Sequence, residues 1–128
     1  MIIAGREVVD WVEKELGETF TNAAGIGLVR KGEIVAGVVY ESFSRNSCAM
    51  HVASKKNYWF TKEFANAAFG VPFVQWDYER VTAPIYSENE QARRFVEKIG
   101  FVHEGTLRGT RPVCIYGLLK SESRWHHG

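Results

Sequence analysis

The stretch SENEQARRFVEKIGFVHEGTLR, residues 87–108, decides the fold because it predicts a helix with both ends defined. Ser87 and Glu90 match the S-x-x-E capping box, in which a hydroxyl and a carboxylate satisfy each other's free amides, so we expect a helix to begin there. Gly100 followed by Phe101 fits a Schellman ending with its hydrophobic contact. The apolar side chains that share one face of this helix are Ala92, Phe95, Val96 and Ile99.

A strand, a helix and a second strand are predicted before this stretch. Residues 48–53 and 80–86 have the composition and length of strands. Such a unit pairs its strands in parallel through a right-handed crossover, so we expect parallel strands centred near Met50 and Ala83. The apolar residues that follow a helical period between the strands are Phe60, Phe64, Ala67, Ala68 and Val71.

Pro72 interrupts that helical pattern, because proline lacks a backbone donor and crowds the preceding turn. It either kinks the helix or starts a second short helical piece that ends near Trp76. The sequence leaves both alternatives open.

The beginning of the chain predicts a helix and then an antiparallel strand pair. Residues 6–16 carry apolar side chains at helical spacing, and Gly17 suits a left-handed cap. Two β-rich segments then flank Lys31 and Gly32, a connection in which glycine supplies the positive φ of a hairpin turn. No strand is expected before the first helix, and two strands joined by a turn at residues 110–112 are expected to finish the chain.

Composition limits the classes of protein to which the chain can belong. Its 128 residues are 45% hydrophobic and 24% charged, which predicts one globular domain over residues 1–128. Sixteen basic and fifteen acidic residues give a net charge of +1, so neither nucleic acid nor a membrane surface is expected as a partner. No apolar run reaches about 18 residues and no signal peptide is recognisable, which predicts a soluble, cytoplasmic protein.

The cysteines and the terminal histidines predict no metal or disulfide chemistry. Cys48 and Cys114 each lie in an apolar run that is typical of a strand, so we expect buried, reduced thiols. His126 and His127 are a weak metal signal beside the simpler expectation of frayed terminal residues.

The residue string from Asn89 to Arg108 closely resembles a segment of a known family. The pattern N-x-x-A-x-x-x-x-E-K-x-G-F…E-G-x-x-R is that of GNAT acetyltransferases, especially the branch that acts on the N-termini of ribosomal proteins. The likeness covers about residues 25–119, and residues 115–125 are similar to short phage and prophage members. The resemblance implies an α/β (α+β) domain with a mixed, mostly antiparallel sheet, one parallel strand pair that splays apart, and helices on both faces.

The resemblance implies acetyl-CoA, or a similar acyl-CoA, as co-substrate. Its pantetheine would follow the strand that contains Met50, Val52 and Ala53, and its pyrophosphate would meet the amides that open the next helix. The residues implied at this pyrophosphate end are Lys55, Lys56, Asn57 and Thr61. Asn89 resembles the asparagine that binds the cofactor near its reactive end, and its alternative role is a first-turn residue that helps Ser87 cap the helix.

Two positions depart from the family pattern. The pyrophosphate loop of the family usually reads R/Q-x-x-G-x-G/A, whereas residues 55–60 contain no glycine, so Lys55 or Lys56 would have to replace amide contacts by charge. The tyrosine that often protonates the departing thiolate corresponds to Val96.

Acetyl transfer to an amine needs a base and a proton donor. The candidate bases are His51 and Glu41, which lie on strands predicted to be adjacent, and the candidate donors are Tyr86 and Tyr116. A hydrogen-bonded structural role for the histidine, a solvent-facing glutamate and tyrosines at the core edge remain alternatives.

The sequence therefore predicts an N-acetyltransferase with acetyl-CoA and an unidentified amine acceptor as its partners. The alternative is a catalytically silent acyl-CoA-fold binding or structural module, related to phage proteins. A homodimer is a further possibility, because a sheet edge shortened by the missing first strand could be covered by a second subunit.

Overall fold

The computed structural model describes residues 1–55 and 59–126. Within them the chain forms one sheet with the strand order β1-β2-β3-β4-β5-β7-β6. Its strands are β1 (Ile2–Ala4), β2 (Ala24–Arg30), β3 (Glu33–Glu41), β4 (Ser47–Ser54), β5 (Arg80–Tyr86), β6 (Val102–Leu107) and β7 (Val113–Leu119). Among the residues that the structure describes, only β4 and β5 pair in parallel, and the other neighbouring strands pair antiparallel.

Helices cover both faces of this sheet. They are α1 (Arg6–Leu16), α2 (Lys62–Gly70) and α3 (Glu90–Lys98), and a π-helical segment, Val71–Gln75, continues from α2. The larger apolar core lies between the sheet and α2 with α3, and a smaller core lies under α1. The predicted fold class is confirmed. No helix in the described ranges is long and apolar enough to cross a membrane.

The first helix has the predicted bounds and packs unusually close to the sheet. Val8, Val9 and Val12 are fully buried, and Gly17 adopts the left-handed cap with φ of 69°. A Cβ atom on Gly37 of β3 would lie 2.6 Å from the Val12 Cγ2 atom, which is nearer than side-chain carbons approach. A glycine at this position therefore allows the helix to approach the strand.

A short strand precedes α1, so the prediction that the chain begins with a helix was wrong. Ile2, Ile3 and Ala4 pair antiparallel with Leu28, Gly27 and Ile26. Three residues are too few to show a period of two in the sequence, and this strand depends on its pairing with β2.

The hairpin between β2 and β3 turns at Lys31 and Gly32, as predicted. Both residues have positive φ, 52° and 77°. Two consecutive residues with positive φ are the mark of a type I′ turn, whose twist matches the twist of the flanking strands.

The second helix begins at Lys62, two residues after the predicted start at Phe60. The Thr61 hydroxyl accepts a hydrogen bond from the Phe64 amide at 3.1 Å and caps the helix. Pro72 lies in the π-helical segment, which ends at Gln75 and is followed by the C-cap Trp76, whose amide donates to the Val71 carbonyl at 3.0 Å. The alternative of a second helical piece is therefore the one that the structure adopts.

The two parallel strands pair over three residues and then separate. Their partners are Ser47 with Arg80, Cys48 with Val81, and Ala49 with Thr82. Beyond Ala49 the strand β4 pairs only with β3, and beyond Thr82 the strand β5 pairs only with β7. This separation confirms the expected splay and opens a gap in the middle of the sheet.

The capping box predicted for α3 was wrong, whereas its ending was right. Asn89, not Ser87, is the N-cap, and its Oδ1 accepts from the Ala92 amide at 3.2 Å. The Ser87 hydroxyl lies 3.2 Å from the Cys114 sulfur instead. At the other end, the amides of Gly100 and Phe101 donate to the carbonyls of residues 97 and 96, which is the predicted Schellman pattern.

Candidate active site

A cavity of about 400 Å³ occupies the gap between β4 and β5. The polar residues that line it, here called its polar wall, are Glu18, His51, Tyr86, Asn89 and Arg111, and Leu16, Gly17 and Pro84 lie beside them in the sequence or the fold. Its apolar part lies among the sheet, α2 and α3, and is lined by Val38, Met50, Val52, Trp59, Phe60, Ala68, Phe69, Ala83, Ile85, Ala92, Phe95, Val96, Ile99 and Phe101. The cavity thus combines a few convergent polar groups with an apolar wall, as small-molecule sites do.

His51 and Glu41, the predicted bases, lie together on the face of the sheet that α1 covers. The His51 Nε2 atom is 2.7 Å from the Glu41 Oε2 atom, and both side chains are largely buried. Within residues 1–55 and 59–126, the His51 Nδ1 atom has no hydrogen-bond partner. When Nε2 carries the proton that Glu41 accepts, Nδ1 keeps its lone pair and can receive a proton.

The Glu41 carboxylate is held in its charged form. Burial raises its pKa, but hydrogen bonds from Ser42 and His51 outweigh burial, and the pKa lies below its usual value. The Phe20 ring packs on the imidazole with centroids 4.7 Å apart. Charge on one side and an aromatic ring on the other therefore fix the orientation of His51.

Tyr86, a candidate proton donor at the end of β5, lines the cavity and carries an arginine on its ring. The Arg111 guanidinium lies 3.6 Å from the ring centroid, a cation–π contact. Arg111 also donates from Nε to the Glu88 carboxylate at 2.7 Å. This arrangement places a phenol and a fixed cation on the polar wall.

Tyr116, the other candidate donor, is not at the cavity. Its hydroxyl donates to the Glu97 carboxylate at 2.5 Å and accepts from Arg93 at 3.1 Å. Burial and then the Glu97 hydrogen bond raise its pKa, which makes its proton harder to release. The ring stacks with His103 and is fully buried. Tyr116 is therefore part of the structural framework beneath α3.

The residues predicted to hold the cofactor divide between the cavity and its surroundings. Met50, Val52 and Asn89 line the cavity, whereas Ala53 packs in the core under α1. Thr61 caps α2.

The predicted cations lie partly outside what the structure describes. The Lys55 ammonium is 3.8 Å from the Glu15 carboxylate of α1, with more than half of its side chain exposed. Lys56 and Asn57 lie outside the described residues, so their predicted roles stay predictions.

The cysteines are buried and reduced, as expected, and neither lines the cavity. Burial, with a contribution from the Glu41 charge, raises the pKa of Cys48 to about 12. The hydrogen bond from Ser87 lowers the pKa of Cys114, which contacts Thr106 as well. Among the described residues, no group of three or more His, Cys, Asp or Glu side chains could hold a metal ion.

Solved structures share this architecture. A mutant of the spermidine N-acetyltransferase SpeG from Vibrio cholerae is 14% identical, with a TM-score of 0.77 and 94% of each chain covered. A GNAT-family acetyltransferase from Bacillus anthracis is 20% identical, with a TM-score of 0.66 over 88% of this chain and 73% of the other. This chain has the GNAT fold. No protein-family model matches the sequence, and no curated protein matches it.

Sequence reasoning missed several residues that shape the cavity of this GNAT fold. The end of α1 brings Glu18 to the polar wall, and the segment between β6 and β7 brings Arg111. Trp59, Phe60 and Phe95 all line the cavity and pack against one another, with ring centroids 5.1–5.3 Å apart. Only the aromatic richness of residues 58–60 could have signalled this cluster, since the other contacts arise from tertiary packing.

Proposed function

We propose that the protein is an N-acyltransferase that moves an acetyl group from acetyl-CoA to an amine. The observation that carries this proposal is the His51–Glu41 pair, with a nitrogen–oxygen distance of 2.7 Å, beside a cavity in the gap between β4 and β5 of a GNAT fold. A base fixed by a carboxylate, beside a cleft large enough for a thioester, is what this reaction requires.

The apolar part of the cavity suits the pantetheine arm of the cofactor. Met50 and Val52 lie on the stretch of β4 that has lost its partner on the β5 side, so its backbone groups are available to the amides of the arm. Asn89 lines the cavity and would contact the arm near its reactive end. Lys55, Lys56, Asn57 and Thr61 would receive the pyrophosphate at the start of α2, and Ala53 would contact the arm through its backbone.

The chemistry needs one proton acceptor and one proton donor. The amine nitrogen attacks the thioester carbonyl, a C–N bond forms, the C–S bond breaks and the electron pair leaves on the CoA sulfur. His51 takes the proton that the amine loses, and Glu41 stabilises the imidazolium across the 2.7 Å contact. Tyr86 gives a proton to the leaving thiolate, in place of the residue that Val96 replaces. Strand amides near Val52 would bind the carbonyl oxygen.

The acceptor is an amine whose proton is easily lost. Making an α-amine neutral at pH 7 costs about 1 kcal/mol, whereas a lysine side chain costs roughly 4 to 5 kcal/mol. A histidine base suits the first kind of amine best. This preference agrees with the likeness of residues 89–108 to transferases that act on the N-termini of ribosomal proteins. We also propose a cytoplasmic, phage-related protein. The strand β1 occupies the sheet edge expected to lack a first strand, but it is only three residues long, so a homodimer is the assembly to be tested.

Titration with acetyl-CoA followed by a thiol-release assay tests the proposal. The acceptors are a peptide with the N-terminus of a ribosomal protein, spermidine and N-acetyl-lysine amide, and size-exclusion chromatography reports the oligomeric state. We expect binding, and thiol release that is fastest with the peptide. Binding without release for any amine would favour a silent acyl-CoA-binding module, and the absence of binding at millimolar acetyl-CoA would refute the cofactor assignment.

A further inference from the structure

The cavity has a mouth and a closed end, which follow from the directions of its elements. The strands β4 and β5 run parallel, and α2 connects them, so α2 runs back along the sheet. The strand β6 is antiparallel to β7, which is antiparallel to β5, so α3 also runs back between β5 and β6. The first residues of both helices therefore lie at the open end of the gap, and their last residues lie where the strands still pair.

The closed end is lined by residues from late in α2, by residues that directly follow α3, and by the first residue of β4 and of β5 beyond the paired part. These residues are Met50, Ala68, Phe69, Ala83, Ile99 and Phe101, each at most 6% exposed. Every one of these side chains is apolar. Trp59 and Phe60, which lie just before α2, line the mouth, and the ring of Phe95 contacts both of them.

The closed end offers nothing polar to a ligand. In the described part of the chain, no buried side-chain nitrogen or oxygen lacks a hydrogen-bond partner, so the closed end has no unpaired polar side chain to offer a ligand. Water is a poor occupant of such a space, because it needs two to four polar partners. A hydrocarbon chain needs none and gains from leaving water.

Small side chains give this end its room. Ala68 on α2 and Ala83 on β5 both line the cavity, and Val96 on α3 stands where an aromatic side chain would occupy the same space. The amides of a pantetheine arm find backbone partners along the unpaired stretch of β4, which runs from Met50 towards the mouth. The part of the ligand that reaches the closed end is therefore the group beyond the thioester.

We infer that the closed end of the cavity accepts an acyl chain longer than acetyl, so that the preferred donor is a longer-chain acyl-CoA. This inference rests on the proposed function, because it assumes that the thioester lies in the gap between β4 and β5. The bonds formed and broken are those of acetyl transfer, and only the acyl group differs.

Calorimetric titration of the full chain with CoA, acetyl-CoA, butyryl-CoA, hexanoyl-CoA and octanoyl-CoA tests the inference. We expect affinity to rise with chain length by up to about fourfold per methylene until the closed end is full. Acetyl-CoA that binds as tightly as every longer donor would overturn the inference and leave the proposed function standing. If neither CoA nor any thioester binds, the proposed function fails and the inference fails with it.

Adjacent residues of α2 provide a matched pair of variants. Ala68→Leu fills the closed end, whereas Ala67→Leu adds the same atoms at a position that does not line the cavity. We expect A68L to bind acetyl-CoA as the wild type does and to bind hexanoyl-CoA at least tenfold more weakly than the wild type does. A67L should bind both donors with wild-type affinity. Ala83→Val, which fills the same end from β5, replaces A68L if thermal melting shows that A68L is unfolded. Equal effects of A67L and the filling variants would contradict the inference.

Discussion

His51 on β4 and Glu41 on β3 are joined by a contact of 2.7 Å on the face of the sheet that α1 covers, opposite the face that carries α2 and α3. Neighbouring antiparallel strands bring the two side chains together on one face, because Val39 is the direct partner of His51 and Glu41 lies two residues further along. The proposed base is thus on one side of the gap, and the apolar wall proposed to hold the cofactor is on the other. In the proposed reaction, an amine would approach the thioester from the face opposite the cofactor.

Replacing the histidine tests its role as the base. We expect His51→Gln to lower kcat by about 100-fold or more, because general-base catalysis contributes rate enhancements of that order. Glu41→Gln should cause a smaller loss, since it removes only the group that orients the imidazole. Acetyl-CoA affinity, measured by calorimetry, should change little in both. Glu33→Gln, at the exposed start of β3, is the matched control. A normal kcat for H51Q would exclude His51 as the base.

The Glu41 carboxylate should also make stability depend on pH. Its pKa lies below the ordinary value of 4.5 in the folded protein, so the folded state binds this proton more weakly than the unfolded state. Its contribution to stability is therefore complete above that value and is lost as the pH falls through the lower, folded pKa. The free energy of unfolding, measured by urea at pH values from about 6 to about 3, should fall more steeply for the wild type than for E41Q. Arg80 also lowers the pKa of Glu104, but Glu104 is present in both proteins, so its contribution cancels when their two stability curves are compared. Parallel curves would contradict the assignment.

Asn89 has two separable roles. As the N-cap of α3 it accepts the Ala92 amide, so Asn89→Ala should lower the free energy of unfolding by about 1 kcal/mol. Asn89→Ser keeps a capping oxygen and should restore most of that stability, yet it lacks the amide group proposed to contact the cofactor. We therefore expect N89S to melt like the wild type and to bind acetyl-CoA as weakly as N89A. Wild-type affinity in N89S would limit Asn89 to capping.

The helices and strands were predictable where a periodic pattern is long enough to be read. The eleven residues of α1 have the bounds that their valine spacing predicts, and the parallel pair of β4 and β5 follows from the helix between them. The three residues of β1 show no pattern, and only their pairing with β2 defines them. The start of α3 was misplaced because a distant side chain, Cys114, contacts the serine that the motif assigns to the cap.

The residues of the candidate site were predictable where adjacent strands bring them together or where the family resemblance places them at the cavity, as it does for Met50 and Asn89. His51 and Glu41 followed from the pairing of two neighbouring strands. Lys55 meets Glu15 of α1, and Arg111 meets Tyr86, through contacts between segments far apart in the sequence. Neither local spacing nor residue type carries information on such contacts, so sequence reasoning could not assign them.

The lysines after β4 should make cofactor binding depend on salt. We expect the double variant Lys55→Ala, Lys56→Ala to bind acetyl-CoA more weakly at low salt and with a flatter dependence on ionic strength, because charge replaces the missing glycine amides. Since Lys55 already pairs with Glu15 at 3.8 Å, Glu15→Gln should strengthen binding slightly by freeing that charge. A pantetheine fragment without phosphates should bind equally to all these proteins. Unchanged affinity of the double variant at low salt would exclude the compensation.

The valine at position 96 should keep the rate of acyl transfer low, because it lies at the cavity where the resemblance places a tyrosine that protonates the leaving thiolate. We expect Val96→Tyr to raise kcat for thiol release from acetyl-CoA by about tenfold or more, because a second, closer donor joins Tyr86. Val96→Phe is the matched control, since it adds the same ring without the hydroxyl and fills the same space. Both variants should lose affinity for hexanoyl-CoA, because either ring occupies room that the longer chain needs. A difference in kcat between V96Y and V96F therefore reports the hydroxyl alone. Equal kcat values for the two variants would show that protonation of the thiolate does not limit turnover. A lower kcat for V96Y than for the wild type would show that the ring displaces the thioester.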